Sequence, residues 1–301
     1  MTGTASGRIV AAVDDTDASR RALDWAAQEA RLLGRGLRVV HAFDWPFRQR
    51  VPHGARGFDL DEESLDAYAR RVVHEAVDRV REREPEVEVD ALHVVGAVGP
   101  TLLQQSEDAY LLVAGSRGLS GLRAVLLGSV GTQLAALADC PVVIVPDREL
   151  GASTGRVVVG VDGSPSALAA AERAFTEADA RRATLRAVAV SSRSSHAVFA
   201  AMEAPAPSDD PDRAAALAET RRRLSESLAG LREHHPDVYV EEEVLIGHPA
   251  ETLIAESEYA DLVVVGSRGR GGFTGLLLGS VSQTLLTHAY CPVMVVHAKK
   301  H

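Results

Sequence analysis

Short aliphatic runs recur along this chain, separated by longer stretches in which apolar residues return every three or four positions. Arg8-Ile-Val-Ala-Ala-Val-Asp14, Leu37 to Phe43, Val87 to Val95, Leu111 to Ala114 and Pro141-Val-Val-Ile-Val read as strands. The pattern then starts again with Arg156-Val-Val-Val-Gly-Val-Asp162, Leu185 to Val190, Val238 to Ile246, Leu262 to Val265 and Pro292-Val-Met-Val-Val. Helical periodicity fills the gaps. Asp17 is placed to cap a helix to about Leu33, with Ala22, Leu23, Ala26, Ala30 and Leu33 on its apolar face. Pro165 suits the first turn of a helix to about Arg181. Further helices are expected over Glu62 to Glu84 and Pro211 to Glu233, after Gly99-Pro100 and Gly247-His248-Pro249, and from Gly128 and Gly279. Each half therefore alternates strand and helix through five strands, which predicts an α/β fold in two doubly wound domains, each a parallel sheet covered by helices on both faces. The boundaries expected are residues 1–147 and 155–301, joined by a linker from Asp147 to Gly155.

One pair of loops stands out. Val113-Ala-Gly115-Ser-Arg-Gly118 is followed after nine residues by Gly128-Ser129, and Val265-Gly266-Ser-Arg-Gly269 after nine residues by Gly279-Ser280, each motif residue lying 151 positions after its counterpart. Glycine without a Cβ lets the main chain approach phosphate oxygens and permits positive φ. A helix opening at Gly128-Ser129 or Gly279-Ser280 offers N–H groups, a positive dipole end and a serine hydroxyl to an anion. Taken singly, such a loop is equally well a tight turn before a capped helix; duplication at constant spacing favours a phosphate cradle. Asp14 and Asp162 end the first strand of each half, where open sheets of this kind bind ligands. A carboxylate there either caps the first helix or accepts hydrogen bonds from ribose or base, and the neighbouring glycine loop favours the ligand.

Composition narrows the chemistry. The net charge of −10 argues against nucleic acid as a main partner. The opening residues lack an apolar signal core and no run approaches the ~20 apolar residues that span a bilayer, so a cytoplasmic protein without membrane contact is expected. Lysine occurs only at Lys299 and Lys300, so no phosphate-loop lysine, Schiff base or kinase-type strand lysine is available to either core. Cys140 and Cys291 occupy equivalent places before Pro-Val and read as small buried packing residues. His41, His93 and His248 read as packed or solvated, and Arg117 and Arg268 either screen phosphate or face water. No catalytic triad and no metal-ligand set emerges, so no catalytic and no metal-binding residues are expected. Asp44 to Asp61 and Ser191 to Asp212 differ entirely between the halves and are candidate lids.

The first-strand Asp, Gly-x-x-Gly, nine residues, Gly-Ser and Cys-Pro-Val resemble the universal stress protein family in its ATP-binding branch. Nearly all of both halves is covered, and Gly266-Ser-Arg-Gly-Arg-Gly-Gly with Leu278-Gly-Ser-Val-Ser fits the family loop almost throughout. The tandem pattern is similar to that of actinobacterial members. The resemblance implies a Rossmann-like sheet of order 3-2-1-4-5 and one adenine nucleotide per domain. ATP is the ligand implied, with Mg²⁺ held through its phosphates. It also implies a role in stress or dormancy regulation with a regulatory protein partner. The halves are expected to pair through their last strands as an intramolecular pseudo-dimer, with a homodimer as a further arrangement. The implied contacts are Asp14, Gly115, Gly118, Gly128 and Ser129, and Asp162, Gly266, Gly269, Gly279 and Ser280, with backbone at Ala42 and Val190 meeting adenine. Two other classes stay open: a slow ATP hydrolase or phosphotransferase using His248 or the strand acids, and a dimerising scaffold that needs no nucleotide. The first half departs from the pattern at Asp15-Thr16, at Val98 where the second has Pro249, and at Tyr110 where it has Asp261. Asp15 adds a charge beside a polyanion, so the first site is expected to be the weaker. Alanine at Gly115 or Gly266 is expected to place a methyl against phosphate and leave the melting temperature nearly unchanged.

Overall fold

A computed structural model describes residues 7–43, 62–116, 128–191, 211–270 and 277–298. The chain divides into two compact units, residues 1–147 and 148–301.

The first unit runs β1 (Ile9–Ala12), α1 (Asp17–Leu33), β2 (Leu37–Phe43), α2 (Glu62–Arg83), β3 (Val89–Val95), α3 (Val98–Ser106), β4 (Leu111–Gly115), α4 (Ser129–Leu137) and β5 (Val142–Val145). Its strands lie in the order β3-β2-β1-β4-β5. All its pairings are parallel, with Ile9 beside Leu37 and Leu111, and Gly115 beside Val145. The reversal of strand order falls between β1 and β4. Strands β1, β4 and β5 are almost wholly buried Val, Ile, Leu and Ala, as strands covered on both faces must be. Helix α1 packs over β1, β4 and β5 beside α2 on β2 and β3, while α3 and α4 pack together against the sheet. The buried face of α1 is mainly alanine (Ala18, Ala22, Ala26, Ala27 and Ala30), which lets the helix sit close to the sheet.

The second unit repeats the plan with β6 (Arg156–Gly160), α5 (Pro165–Arg181), β7 (Thr184–Ser191), α6 (Pro211–His234), β8 (Val240–Ile246), α7 (Pro249–Ser257), β9 (Leu262–Gly266), α8 (Ser280–His288) and β10 (Val293–Val296). The order is β10-β9-β6-β7-β8, the same sequence of neighbours. Phe175 of α5, Leu185 and Leu262 are fully buried in its core.

One local detail differs from the sequence expectation. The cap of α1 is Thr16, not Asp17: its side chain accepts from Ser19 N, and Asp17 is the first helical residue. A threonine oxygen at the last extended residue reaches the N–H three positions on, which a side chain already inside the helix cannot do. Helix α5 is capped by Ser164, with Pro165 in its first turn as expected. At the other ends α1 closes on Gly34 in the left-handed conformation, and α5 closes on Arg182 in the same conformation at φ 51°.

Candidate functional site

The carboxyl ends of β1, β2 and β4 carry Asp14, Ala42 and Gly115, and those of β6, β7 and β9 carry Asp162, Val190 and Gly266. In each unit these meet the start of α4 or α8, where Gly128 and Gly279 are the capping positions and Ser129 and Ser280 the first helical residues. The fold thus gathers the residues expected from the sequence at one end of each sheet. Gly118 and Arg117 lie outside the described residues, as do residues 44–61 and 192–210, the larger part of the candidate lids.

The neck of each loop is tied to the sheet. In the first unit Ser116 N donates to Val145 O at 2.9 Å, Gly128 N to Ser116 O at 3.2 Å and Asp147 N to Ser116 Oγ at 3.0 Å. In the second, Ser267 N donates to Val296 O at 2.8 Å and Gly279 N to Ser267 O at 2.7 Å. Ser282 Oγ reaches Ser267 O and Gly279 O at 3.2 and 2.9 Å. Ser164 Oγ donates to Arg268 O at 3.2 Å, and Ser166 Oγ donates to the same carbonyl. These serine links were not recognised in the sequence. The hydroxyl shared by Thr16 and Ser164 at equivalent positions was the available signal.

The helices that open on these loops differ from the first helix of each unit. Thr16 and Ser164 cap α1 and α5 with side-chain oxygens, and Asp17 adds a charge to the first turn of α1. Helices α4 and α8 have no side-chain cap and no acid in the first turn. An α-helix leaves its first N–H groups without intrahelical partners, and their partial positive charge favours an anion. Nothing on the helix itself competes for that role here.

The reason for the glycines is partly different from the one expected. Among the described residues the glycines with positive φ are Gly7, Gly34, Gly155 and Gly163; none belongs to the loop motif. Gly128 and Gly279 have φ of −58° and −73°, open to any residue. What Gly115 and Gly266 provide is room for a helix. A Cβ on Gly115 would lie 3.0 Å from the carbonyl of Ala18, and one on Gly266 2.6 to 2.8 Å from Ser166 and Ala167, in the first turns of α1 and α5. A Cβ on Gly269 would lie 2.6 Å from Asp162 Oδ2. Among the described motif glycines, Gly128 has ordinary space, with Ser116 O nearest at 3.8 Å. The expectation that alanine at Gly115 or Gly266 would meet only phosphate is therefore corrected: it meets helix backbone first.

The strand acids are held by their own loops. Asp14 Oδ1 accepts from Thr16 N at 3.0 Å and Thr16 Oγ1 at 2.5 Å, and Asp14 N donates to Ser19 Oγ at 2.8 Å. Asp162 Oδ1 accepts from Ser164 N and its Oδ2 from Arg270 N, each at 2.9 Å. Asp15 is not the bare charge that the sequence suggested, because Arg20 lies 2.7 Å and Arg71 3.9 Å from its carboxylate. Nearby, His41 is buried with Nδ1 donating to Val13 O at 2.8 Å, stacked on Phe43 and edge-on to Tyr68. Burial, followed by the charge of Asp15, pushes the Tyr68 hydroxyl above its usual range. His93 pairs with Asp66 at 3.0 Å, and His248 is the capping residue of α7 without a side-chain cap bond. Burial of Cys291 pushes its thiol up to about 12. Among the described residues no His, Cys, Asp and Glu groups are placed to hold a metal ion, and no helix is long and apolar enough to cross a membrane.

A doubly wound parallel sheet whose strand order reverses between its first and fourth strands defines the Rossmann-like class of α/β domains. Within that class the assignment is direct: the model of the Universal stress protein family matches residues 6–146 and 154–297, and the chain belongs to this family. A universal stress protein of Mycolicibacterium smegmatis is 35% identical over 304 residues, covering 97% of each chain. A universal stress protein from Archaeoglobus fulgidus shares the fold with a TM-score of 0.68 at 20% identity, over 97% of each chain. Another from Archaeoglobus fulgidus, solved in complex with dAMP, is 30% identical over 46% of this chain and 96% of its own, with a TM-score of 0.33.

Proposed function

We propose that each unit binds one adenine nucleotide, ATP, and that the protein is a nucleotide-dependent regulator of the stress response whose occupancy alters the surface offered to a regulatory protein partner. The observation that carries this reading is the twin cradle, in which α4 and α8 open without side-chain caps beside Asp14 and Asp162. Phosphate oxygens would take the first-turn N–H groups and hydroxyls of Ser129 and Ser280, approaching over Gly128 and Gly279. Asp14 and Asp162 would accept from ribose hydroxyls, and backbone at Ala42 and Val190 would meet adenine. Gly115 and Gly266 support the site by seating α1 and α5; Gly118 and Gly269 belong to the loop between. Mg²⁺ would be held through the phosphates rather than by a protein ligand set. Native mass spectrometry of gently purified full-length protein, followed by calorimetric titration, should find up to two adenine nucleotides per chain. Absence of binding at millimolar ATP would overturn the proposal.

A further inference from the structure

The two cradles differ at one pair of positions. In the second unit Gly163 follows Asp162 with φ 78°, and the guanidinium of Arg270 lies over it: a Cβ at Gly163 would stand 3.1 Å from Nη2, 3.5 Å from Cζ and 3.6 Å from Nε. These distances set the Nε–Nη2 edge of the guanidinium against the glycine, where a side chain would have to push it aside. The main chain of Arg270 is fixed as well, its N–H donating to Asp162 Oδ2 at 2.9 Å. Yet this guanidinium has no carboxylate within ion-pair distance among the described residues. Other arginines near the ends of these strands are paired, as Arg20 is with Asp15 and Asp17, and Arg186 with Glu256.

In the first unit both members of the pair are replaced together. Asp15 stands in place of Gly163 and, in the sequence, Leu119 in place of Arg270. Among the described residues, Arg20 and Arg71 lie beside Asp15 there, and both are engaged by carboxylates, Arg20 by Asp15 and Asp17 and Arg71 by Glu75 and Asp15. Among the described residues, one unit thus carries a guanidinium without an ion pair beside its strand acid, and the other carries cations already paired.

Resting on the nucleotide reading above, we propose that Arg270 reads the phosphate chain in the second unit, so that this site distinguishes ATP from AMP while the first site does so only weakly. A guanidinium forms short, charge-assisted and often bidentate hydrogen bonds to phosphate. Its contribution grows with ligand charge, whereas the contacts of Asp162 and Val190 to sugar and base are common to ATP and AMP. The hydrogen bond from Arg270 N to Asp162 Oδ2 fixes the main chain from which the guanidinium reaches, which limits the freedom lost when phosphate is engaged.

The test is titration of full-length protein with ATP and with AMP, at several salt concentrations. Arg270→Leu, which installs the first unit's residue, should weaken ATP about tenfold at one of the two sites. It should change AMP less than twofold and flatten the salt dependence of ATP binding. Gly163→Asp should lower the ATP-to-AMP ratio in the same direction by displacing the guanidinium, and Arg270→Lys should retain part of it. An Arg270→Leu protein with normal melting temperature and an unchanged ATP-to-AMP ratio would overturn the assignment of Arg270 alone. Wild-type protein that binds neither nucleotide would overturn the site itself, and the two failures are told apart by AMP.

Discussion

At the carboxyl end of β1, Asp15 holds Arg20 and Arg71, whereas at the carboxyl end of β6 a bare glycine lies against the guanidinium of Arg270, which has no ion pair among the described residues. The opposite ends of the sheets differ as much. In the second unit Asp261 gathers Ser153 Oγ, Thr154 N and Gly155 N at 2.8, 2.6 and 2.9 Å, so that one carboxylate fastens the chain entering β6. Its counterpart in the first unit is Tyr110, whose ring lies 3.3 Å beneath the guanidinium carbon of Arg35. A duplicated framework can thus keep its strand order and loop glycines while each copy settles its charges locally. The sites need not be equal, because the groups that distinguish them are not the groups that build the sheet.

The largest difference should appear at the paired strand-end glycines. Gly266→Ala drives a methyl to 2.6 to 2.8 Å from helix atoms and should destabilise the second unit by about 3 kcal/mol, a fall of about 8 °C in its melting midpoint. Gly115→Ala, with contacts no closer than 3.0 Å, should cost the first unit about 1 kcal/mol. Equal midpoints for the two variants in calorimetry would break the comparison. Next in size, Asp261→Ala removes several hydrogen bonds from linker N–H groups to one carboxylate and should cost about 2 kcal/mol, with faster proteolysis between Arg148 and Gly155; no change in either would deny the clamp.

A smaller effect of opposite sign is expected at the helix ends. Arg182 occupies the left-handed position that glycine fills in the first unit, so Arg182→Gly should stabilise the second unit by up to about 1 kcal/mol in denaturant titration. Asp15→Gly removes a charge already screened by two arginines, and should tighten ATP at the first site only about threefold, an effect lost in high salt. The cysteines should differ least. Both are buried, so a thiol reagent below pH 9 should label neither until the protein unfolds. For Cys291 the sign follows from burial favouring the neutral thiol: its contribution to stability is fully present below pH 9 and is lost as pH rises from 9.0 towards about 12.

Most of the architecture was legible in the sequence. The ten strands are within a few residues of their expected positions, because a buried parallel strand must be a short aliphatic run and the helix between must repeat at 3.6 residues. The placing of the two glycine motifs at equivalent strand ends was legible too, since spacing repeated 151 residues later is itself an observation. The cap at Thr16 was missed by one residue, because Asp17 and Thr16 are both good caps and only backbone geometry separates them.

What the sequence by itself determined is therefore the alternation of elements, the duplication and the end of each sheet at which the strand acids and motif glycines lie, all consequences of periodicity and covalent neighbourhood. What only the tertiary structure decided is which atoms stand against which. Gly115 is glycine because Ala18, far off in the chain, is packed against it; Asp15 is tamed by Arg71 from a different helix; and Arg270 finds its seat over Gly163 from the other side of the sheet's switch point. Each is a distance of a few ångströms between residues roughly a hundred or more positions apart in two of the three cases, and no local pattern encodes such a distance until the strands are paired and the helices laid upon them.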